Sequence, residues 1–345
     1  MTMHLGKSEW GKAVRHMPVG IAAILSLVLH ASPAQAYLKL GISVNGRPTA
    51  IKWARAPVRY AVLDEGVPGV SSADLRDAIA RATTSWQAVT TATIAYQFAG
   101  FTSAEPGDED GVSTLGFASR PDLDRVLAST SLLIDDATGE LVEADIFFNS
   151  AFAWSVSAGG ERGKYDLETI ALHELGHVGG LGHSALGETE LTVTGRRVLS
   201  AEAVMFPIAF SAGSVNNRTL RADDVAGISD LYPEAGFQET SGSLSGTVTL
   251  DRQPVFGAHV VTFNLSTGSL VAGFTLGRQG LFSIGGLSPG TYVVRVEPLD
   301  DADVESFFDE AVPVGLDFRV RIHDRLVTVP RGGDSGLVAL TVEAK

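Results

Sequence analysis

The sequence predicts an α+β domain followed by an all-β domain. Two helical patterns, at residues 72–89 and 166–180, stand among strand patterns in the first part. Beyond residue 236 the pattern changes to short alternating strands separated by turn residues, without a convincing helix. A chain of 345 residues with 45% apolar side chains is long enough for two domains. We therefore expect a first domain at residues 37–235 and a β-sandwich domain at residues 236–345.

The N-terminus predicts an export signal rather than a part of the fold. Basic residues and an apolar run precede a small-residue cleavage site, at Lys7, Lys12, Arg15, Val19 to Leu29, Ala34 and Ala36. The run is too short for a membrane-spanning helix, which needs about 20 apolar residues. We expect removal of this signal peptide, residues 1–36, and a mature protein that is secreted or periplasmic and does not bind the membrane.

Charge and cysteine content narrow the partners and the chemistry. The chain carries 26 Lys and Arg against 40 Asp and Glu, a net charge of −14, and the signal peptide itself is basic. Nucleic acid is therefore not an expected partner. The absence of cysteine excludes disulfides and thiolate chemistry. We expect a monomer.

The first domain begins with a hairpin, a strand and a helix. Asn45-Gly46 between apolar runs predicts a hairpin in residues 41–53, and residues 57–64 predict a strand. From Ser72 a helix follows, because apolar residues recur on one face at spacings of three and four. These residues are Leu75, Ala78, Ile79, Ala82, Trp86 and Val89. Residues 92–98 predict the next strand.

An acidic loop, two strands and a second helix complete the pattern that leads to the site. The loop at residues 105–111 could hold Ca²⁺ through carboxylate oxygens, which makes calcium a second candidate cofactor. A solvated acidic turn is the alternative, because the spacing matches no defined calcium loop. Residues 125–135 and 140–149 predict two strands around a turn. Asp166 then caps a helix that stops at Gly179-Gly180.

Three histidines within "TIALHELGHVGGLGHS" have the spacing of a metal site. His173 and His177 are four residues apart, so both imidazoles project from one face of the helix and can reach one ion. Glu174 lies beside them, where it can take a proton from a bound water as general base.

The third ligand requires the chain to turn away from the helix axis. Gly179 and Gly180 allow this turn, because glycine accepts the left-handed backbone that a helix end needs. His183 then completes a set of three histidines with one coordination position left for water. Such a set is typical of a catalytic Zn²⁺ site, and we expect one zinc ion.

The motif H-E-x-x-H-x-x-G-x-x-H, here His173 to His183, resembles the zinc signature of the metzincin metalloproteases. By this resemblance "EAVMFP" supplies the methionine turn, and Met205 forms an apolar floor beneath the zinc. "GLGHS", "VMFP" and the segment Arg218 to Pro233, with its acidic pair Asp223 and Asp224, resemble the matrixin branch. The resemblance covers about residues 40–235. It implies a metzincin catalytic domain with a twisted mixed sheet, an active-site helix and a closing C-terminal helix.

The same resemblance implies a zinc-dependent endopeptidase that acts on protein or peptide substrates. The strand "RVLASTSLL" would hold the substrate in an extended form. Phe206, Pro207 and Ile208 would help to line the pocket for the side chain that follows the cut.

Three departures from the matrixin pattern change these expectations. No histidine lies between His30 and His173, so a second, structural zinc is not expected. Without cysteine, and with no room before Tyr37, latency through a propeptide cysteine is excluded. The segment at residues 185–203 is longer than usual and is either a specificity loop or a plain surface insertion.

The second domain resembles a carboxypeptidase-regulatory-like β-sandwich in residues 245–263 and 280–298. We expect it to serve packing, spacing or adhesion, and we expect His259 and His323 to be structural or exposed rather than metal ligands. The alternative for the whole chain is a surface adhesion protein that retains a metzincin fold with little or no proteolysis. Glu174 argues against it, because a structural metal site has no use for a base.

Overall fold

The structure is a computed structural model that describes the backbone of residues 2–5 and all of residues 39–193, 195–277, 279–308 and 313–345. Most of the predicted signal peptide lies outside these residues. The first strands are β1 Thr2–Leu5, β2 Gly41–Val44, β3 Arg47–Ala50, β4 Val58–Leu63, β5 Tyr96–Thr102, β6 Thr114–Ala118, β7 Val126–Asp135, β8 Glu140–Asn149, β9 Trp154–Ser155, β10 Tyr165–Asp166, β11 Gly187–Thr192 and β12 Gly195–Ala201. The later strands are β13 Gly242–Leu250, β14 Gln253–Pro254, β15 His259–Asn264, β16 Leu270–Phe274, β17 Leu281–Leu287, β18 Gly290–Glu297, β19 Arg321–Ile322, β20 Val327–Val329 and β21 Asp334–Val342. The helices are α1 Ser72–Gln87, α2 Leu167–Val178, α3 Ala222–Leu231 and α4 Phe237–Thr240, with a 3₁₀ turn at Val304–Ser306.

A mixed sheet with two packed helices forms the first part of the chain, in agreement with the predicted α+β class. Its strand order is β1-β7-β8-β6-β4-β5. Strands β4, β5, β6 and β8 pair in parallel, whereas β7 runs antiparallel to β8. Helices α1 and α2 pack against each other and against strands of this sheet. None of the described helices is long and apolar enough to cross a membrane.

The helix α1 forms where the periodicity predicts it. Ser71 accepts a hydrogen bond from the Asp74 amide, and the Asp74 side chain accepts one from the Ser71 amide, which completes a capping box. All six residues of the predicted apolar face are buried. The Trp86 Nε1 donates to the Leu172 carbonyl at 2.9 Å and thereby joins α1 to α2.

The predicted hairpin is confirmed, whereas β5 differs from the prediction and β6 and the strands β9 to β12 were not predicted. Strands β2 and β3 pair antiparallel around Asn45 and Gly46, whose φ angles are 51° and 75°. Strand β5 begins at Tyr96 rather than Ala92, because the chain before it turns and pairs with the end of the α3 region. Strand β6 was not predicted: its Gly116 weakens the strand pattern, and a Cβ there would lie 2.5 Å from the Leu63 Cβ.

The chain beyond residue 236 forms two sheets. One contains β14, β13, β17 and β21, and the other contains β16, β15, β18, β19 and β20. The short helix α4 and the 3₁₀ turn at Val304–Ser306 add helical structure that the sequence did not predict.

One apolar core runs through both parts of the chain. Ile228 and Leu231 of α3 belong to the same buried cluster as Val271 of β16 and Ile284 of β17. The fit is close, because a Cβ at Gly286 would lie 3.1 Å from the Ala226 carbonyl oxygen. The C-terminal sheets therefore rest on the closing helix of the first part.

The helix α2 begins at a buried carboxylate. Asp166 is 4% exposed, and its Oδ2 accepts from the Thr169 amide at 2.9 Å, as the predicted cap requires. Arg218 donates to both carboxylate oxygens, with the Nε 2.9 Å from Oδ2. The cap thus also ties the segment before α3 to the start of α2.

We expect Asp166→Ala to lower the free energy of unfolding by about 2 kcal/mol or more, because it removes the cap and leaves Arg218 without its buried partner. Asp166→Ser should lose less, since serine also caps helices. Urea unfolding followed by circular dichroism measures both. Asp77→Ala, in an exposed ion pair on α1, is the control and should change stability by less than about 0.5 kcal/mol. A loss of that small size at Asp166 would contradict the prediction.

Candidate metal centre

The helix α2 brings His173 and His177 to one side, as their spacing predicts. Both are buried, with exposures of 1% and 0%. Their Nε2 atoms lie 3.1 Å apart. His183 reaches the same place from the chain after the helix, and its Nε2 lies 3.2 Å from that of His177.

Two of the three separations between the ligand atoms match a tetrahedral metal ion, and the three atoms all lie within 4.8 Å of one another. Zinc–nitrogen bonds of about 2.0–2.1 Å place neighbouring ligand atoms about 3.3 Å apart. The two measured Nε2 separations are close to this value. Among the described residues, these three histidines are the only set of His, Asp and Glu side chains close enough to share an ion. His259 and His323, predicted not to be ligands, lie outside it.

Each histidine is oriented by a backbone carbonyl. The Nδ1 of His173 lies 2.7 Å from the Val204 oxygen, and the Nδ1 of His177 lies 2.8 Å from the Leu181 oxygen. The Nδ1 of His183 lies 2.6 Å from the Ser306 oxygen. A carbonyl can only accept, so Nδ1 carries the hydrogen and Nε2 keeps its lone pair for a metal. Ser306 was missed by the sequence analysis, because a backbone carbonyl leaves no signal in the sequence.

Burial keeps the imidazoles of His173 and His177 neutral, as metal ligands must be. It lowers the pKa of His173 to about 3, with a further lowering from the charge of His183 and an opposing effect of the Val204 hydrogen bond. Burial also holds the pKa of His177 well below its ordinary value, and the charge of His173 adds to the effect.

The two glycines after α2 have different roles, which corrects the sequence interpretation. Gly179 has a right-handed conformation with φ of −73°, so it does not need the left-handed freedom of glycine. A Cβ there would lie 3.0 Å from the Ile228 Cδ1, so small size is its requirement. Gly180 has φ of +90°, and a Cβ there would lie 2.3 Å from the Ile51 carbonyl oxygen. The turn that leads to His183 therefore depends on Gly180 alone for its left-handed backbone.

Glu174 is buried next to the histidines, and only one of its oxygens has a partner. The Thr130 hydroxyl on β7 donates to Oε2 at 2.7 Å. Oε1 has no hydrogen-bond partner, although Glu174 is 0% exposed. Burial raises the pKa of Glu174 to about 8, against a lowering by the Thr130 hydrogen bond. A buried oxygen without a partner beside a metal-binding set fits a site that also holds a water.

Met205 packs against α2, and its place beneath a bound zinc stays a prediction. Its side chain packs on Gly176, because a Cβ at that position would lie 2.2 Å from the Met205 Sδ. Asp224 holds the backbone of the turn, accepting from the Val204 amide at 2.9 Å and the Met205 amide at 3.2 Å. The acidic pair of α3 thus has a structural contact with the turn that orients His173.

The predicted pocket residues lie in an apolar cluster. Phe206, Pro207 and Ile208 are all buried. Phe206 and Ile208 pack in one cluster with Phe307 and Phe308 from the C-terminal part of the chain. Their role in substrate binding stays a prediction.

The acidic loop at residues 105–111 folds over two buried carboxylates of β8. Asp145 accepts from the Gly107 amide at 2.6 Å and the Thr114 amide at 2.7 Å, and Glu143 accepts from the Gly111 amide. Calcium binding stays a prediction.

The sequence matches the Matrixin peptidase family over residues 52–233, just over half of the 345-residue chain. It is 31% identical to metalloendoproteinase 1-MMP of Arabidopsis thaliana over 208 residues, with 54% of this chain and 45% of that protein covered. It is 26% identical to stromelysin-1 of Mus musculus over 186 residues, with 54% of this chain and 34% of that protein covered. The chain therefore spans less than half the length of these curated relatives.

A solved structure, the Bacillus anthracis TIE protein, is similar to 30% of this chain over 17% of its own length. The identity is 17% and the TM-score is 0.21, so this likeness carries no argument about the fold.

We expect Gly180→Ala to destabilise the protein and weaken its metal binding, because the new Cβ meets the Ile51 carbonyl oxygen and displaces the chain that leads to His183. Thermal unfolding and zinc content after dialysis measure the two effects. Gly163→Ala is the control: its φ is +80°, but no atom lies within 4 Å of the new Cβ. Equal losses of stability and of bound zinc in the two variants would show that the close approach of residue 180 to the Ile51 carbonyl has no such role.

A second prediction concerns Asp223, which joins α3 to the C-terminal sheet through the Ala272 amide at 2.8 Å. Burial first, and the charge of Asp224, raise its pKa from 3.8 to about 7. At this group the folded protein thus keeps a proton that the unfolded chain releases, so the contribution of Asp223 to the free energy of unfolding falls as the pH rises from about 4 to 7.

We expect Asp223→Asn to remove this contribution, because asparagine keeps an acceptor oxygen but cannot ionise, so the free energy of unfolding should change less negatively with pH than in the wild type. The measurement is urea unfolding across this pH range in the presence of a chelator, which removes the contribution of metal release. Asp77→Asn, at an exposed site, should leave the wild-type slope unchanged. An unchanged slope in Asp223→Asn would refute the assignment.

Proposed function

This chain belongs to the matrixin family, and we propose that it is an exported zinc-dependent endopeptidase. The observation that carries the proposal is the combination of a ligand set and a base in one buried site. The Nε2 atoms of His177 and His173 lie 3.1 Å apart and those of His177 and His183 lie 3.2 Å apart, while Oε1 of Glu174 has no partner. A purely structural metal site would not need the carboxylate.

The three histidines would hold the zinc. A zinc ion on three imidazoles leaves a position for water, lowers the pKa of that water to about 7 and polarises a carbonyl. His173, His177 and His183 contribute fixed directions, because each is held at Nδ1 by a carbonyl. Met205 contributes an apolar floor beneath the set.

Glu174 is the proposed general base and acid. Its Oε1 takes a proton from the attacking water and later gives it to the leaving amine. Thr130 holds Oε2, so the carboxylate presents one defined oxygen to the reaction.

The proposed substrate is a protein or peptide segment in an extended conformation. Strand β7 carries Thr130 and lies beside the site, and removal of residues 1–36 would free the edge of β7 that β1 occupies. Main-chain groups of the substrate could then pair with this edge. Phe206, Pro207 and Ile208 are the proposed wall of the pocket for the side chain after the cut.

We also propose the domain division at residues 37–235 and 236–345, with a β-sandwich in the second part and export through residues 1–36. The two sheets beyond residue 236 support the sandwich, and the extent of the family match supports the first domain. The alternative is an adhesion protein with little or no proteolysis, which Glu174 disfavours.

The test is Glu174→Ala in the purified mature protein with an unstructured protein as substrate. We expect kcat/KM to fall by at least about 100-fold, because general acid–base catalysis is lost, while zinc remains bound to the three histidines. Metal analysis and cleavage assays measure the two quantities. Glu161→Ala, at an exposed glutamate, is the control and should retain wild-type activity. If the zinc-loaded wild type cleaves nothing, the adhesion alternative gains and the peptidase proposal fails.

A further inference from the structure

We propose that residues 299–308, a segment of the C-terminal part that we call the clamp, position His183 and make the C-terminal part a component of the metal centre. The proposal rests on the metal-binding part of the proposed function and is independent of proteolysis. It assigns a task to a region for which the sequence indicates only packing, spacing or adhesion.

The first observation is the origin of the carbonyl that holds His183. His173 and His177 are held by Val204 and Leu181, which lie 31 and 4 residues further along the chain and within the family match. His183 is held by Ser306, which is 123 residues further along the chain. One of three equivalent contacts around the metal therefore comes from beyond the family match, which ends at residue 233.

The backbone of the clamp is fixed where this contact is made. The Ser306 amide donates to the Asp303 carbonyl, and the amides of Phe307 and Phe308 both donate to the Val304 carbonyl, all at 2.9 Å. This 3₁₀ turn sets the direction of the Ser306 carbonyl. The acceptor for His183 is thus presented by an ordered turn.

Aromatic packing holds the turn against the ligand. The ring of Phe307 lies edge-on to that of His183, with centroids 6.1 Å apart and an angle of 75°. Phe307 and Phe308 are buried in one cluster with Phe206 and Ile208, which follow the methionine turn. The clamp therefore contacts both the ligand and the chain that carries Met205.

The hairpin β11–β12 anchors the far end of the clamp. The Thr189 amide donates to the Asp301 carboxylate at 2.7 Å, and its hydroxyl donates to the Asp301 carbonyl at 2.7 Å. Arg196 donates to the Asp300 carbonyl at 2.9 Å. These contacts give the unusually long segment at residues 185–203 a specific partner.

The expected loss of zinc affinity can be judged from the known importance of hydrogen bonds that hold metal ligands in place. Without an ordered acceptor the His183 ring loses its fixed tautomer and direction, and loss of such partners weakens metal binding by about 10–100-fold. Water would replace part of the lost hydrogen bond once the clamp moves away. We therefore expect zinc binding to weaken by about 10-fold, near the lower end of this range.

The test loosens the clamp at its anchor, away from the metal ligands. The full mature chain carries Arg196→Ala together with Asp301→Ala, and the zinc dissociation constant is measured by competition with a chelator at fixed pH. The d–d absorption spectrum of the cobalt(II)-substituted protein reports ligand geometry. We expect about 10-fold weaker zinc binding and an altered spectrum.

The matched control is Arg197→Ala together with Glu190→Ala. These two residues form an exposed ion pair on the same hairpin and make no clamp contact among the described residues. This control should bind zinc within about twofold of wild type and give the wild-type spectrum. If the double clamp variant fails to fold, Thr189→Val, which keeps the amide contact and loses the hydroxyl contact, should show a smaller change in the same direction.

Wild-type zinc affinity and spectrum in a folded clamp variant would overturn the proposal, since the segment would then only pack. Faster peptide cleavage with unchanged zinc affinity would also overturn it, because the segment would then be a cover over the cleft. A wild type that binds no zinc would instead refute the proposed function, so the two failures can be told apart.

Discussion

The direction of the three Nε2 atoms depends on three hydrogen bonds from histidine Nδ1 atoms to backbone carbonyls. A chelating set needs lone pairs that converge, and an imidazole on a free side chain can rotate and exchange tautomers. The carbonyls of Val204, Leu181 and Ser306 remove both freedoms. They belong to the methionine turn, the turn after α2 and the C-terminal part, respectively. Convergence of the three Nε2 atoms therefore requires that three separate segments of backbone keep fixed positions relative to one another.

Close packing and buried carboxylates hold those pieces of backbone in place. Gly176 and Gly180 let the methionine turn and the segment at Ile51 approach α2 at distances that a Cβ would forbid. Asp224 ties the methionine turn to α3, and Asp223 ties α3 to the C-terminal sheet. Burial raises the pKa of Asp223 to about 7 and that of Asp224 to about 6, and the charge of Asp224 adds to the rise at Asp223. These two buried carboxylates lie at α3, where the methionine turn and the C-terminal sheet are joined.

Sequence reasoning found the parts of the site that are local and missed those that are not. The pair His173 and His177 follows from helix periodicity, and the Asp166 cap follows from local hydrogen bonding. Gly179 was misread because a need for small size and a need for left-handed backbone look the same in a sequence. The contacts of Thr130 and Ser306 arise from tertiary packing between distant segments, so no spacing rule reports them.

The limits of the family match do not coincide with the limits of the physical unit that the metal centre requires. The match ends at residue 233, yet the apolar core continues from α3 into β16 and β17. Two domains that are joined by a flexible linker would each have a core of their own, and the buried polar groups of each would find hydrogen-bond partners within the same domain. Here the Asp223 carboxylate and the His183 Nδ1 both find partners in the second part. A chain cut at residue 235 would leave both buried groups without those partners, so the proposed metal centre depends on more of the chain than the family match covers.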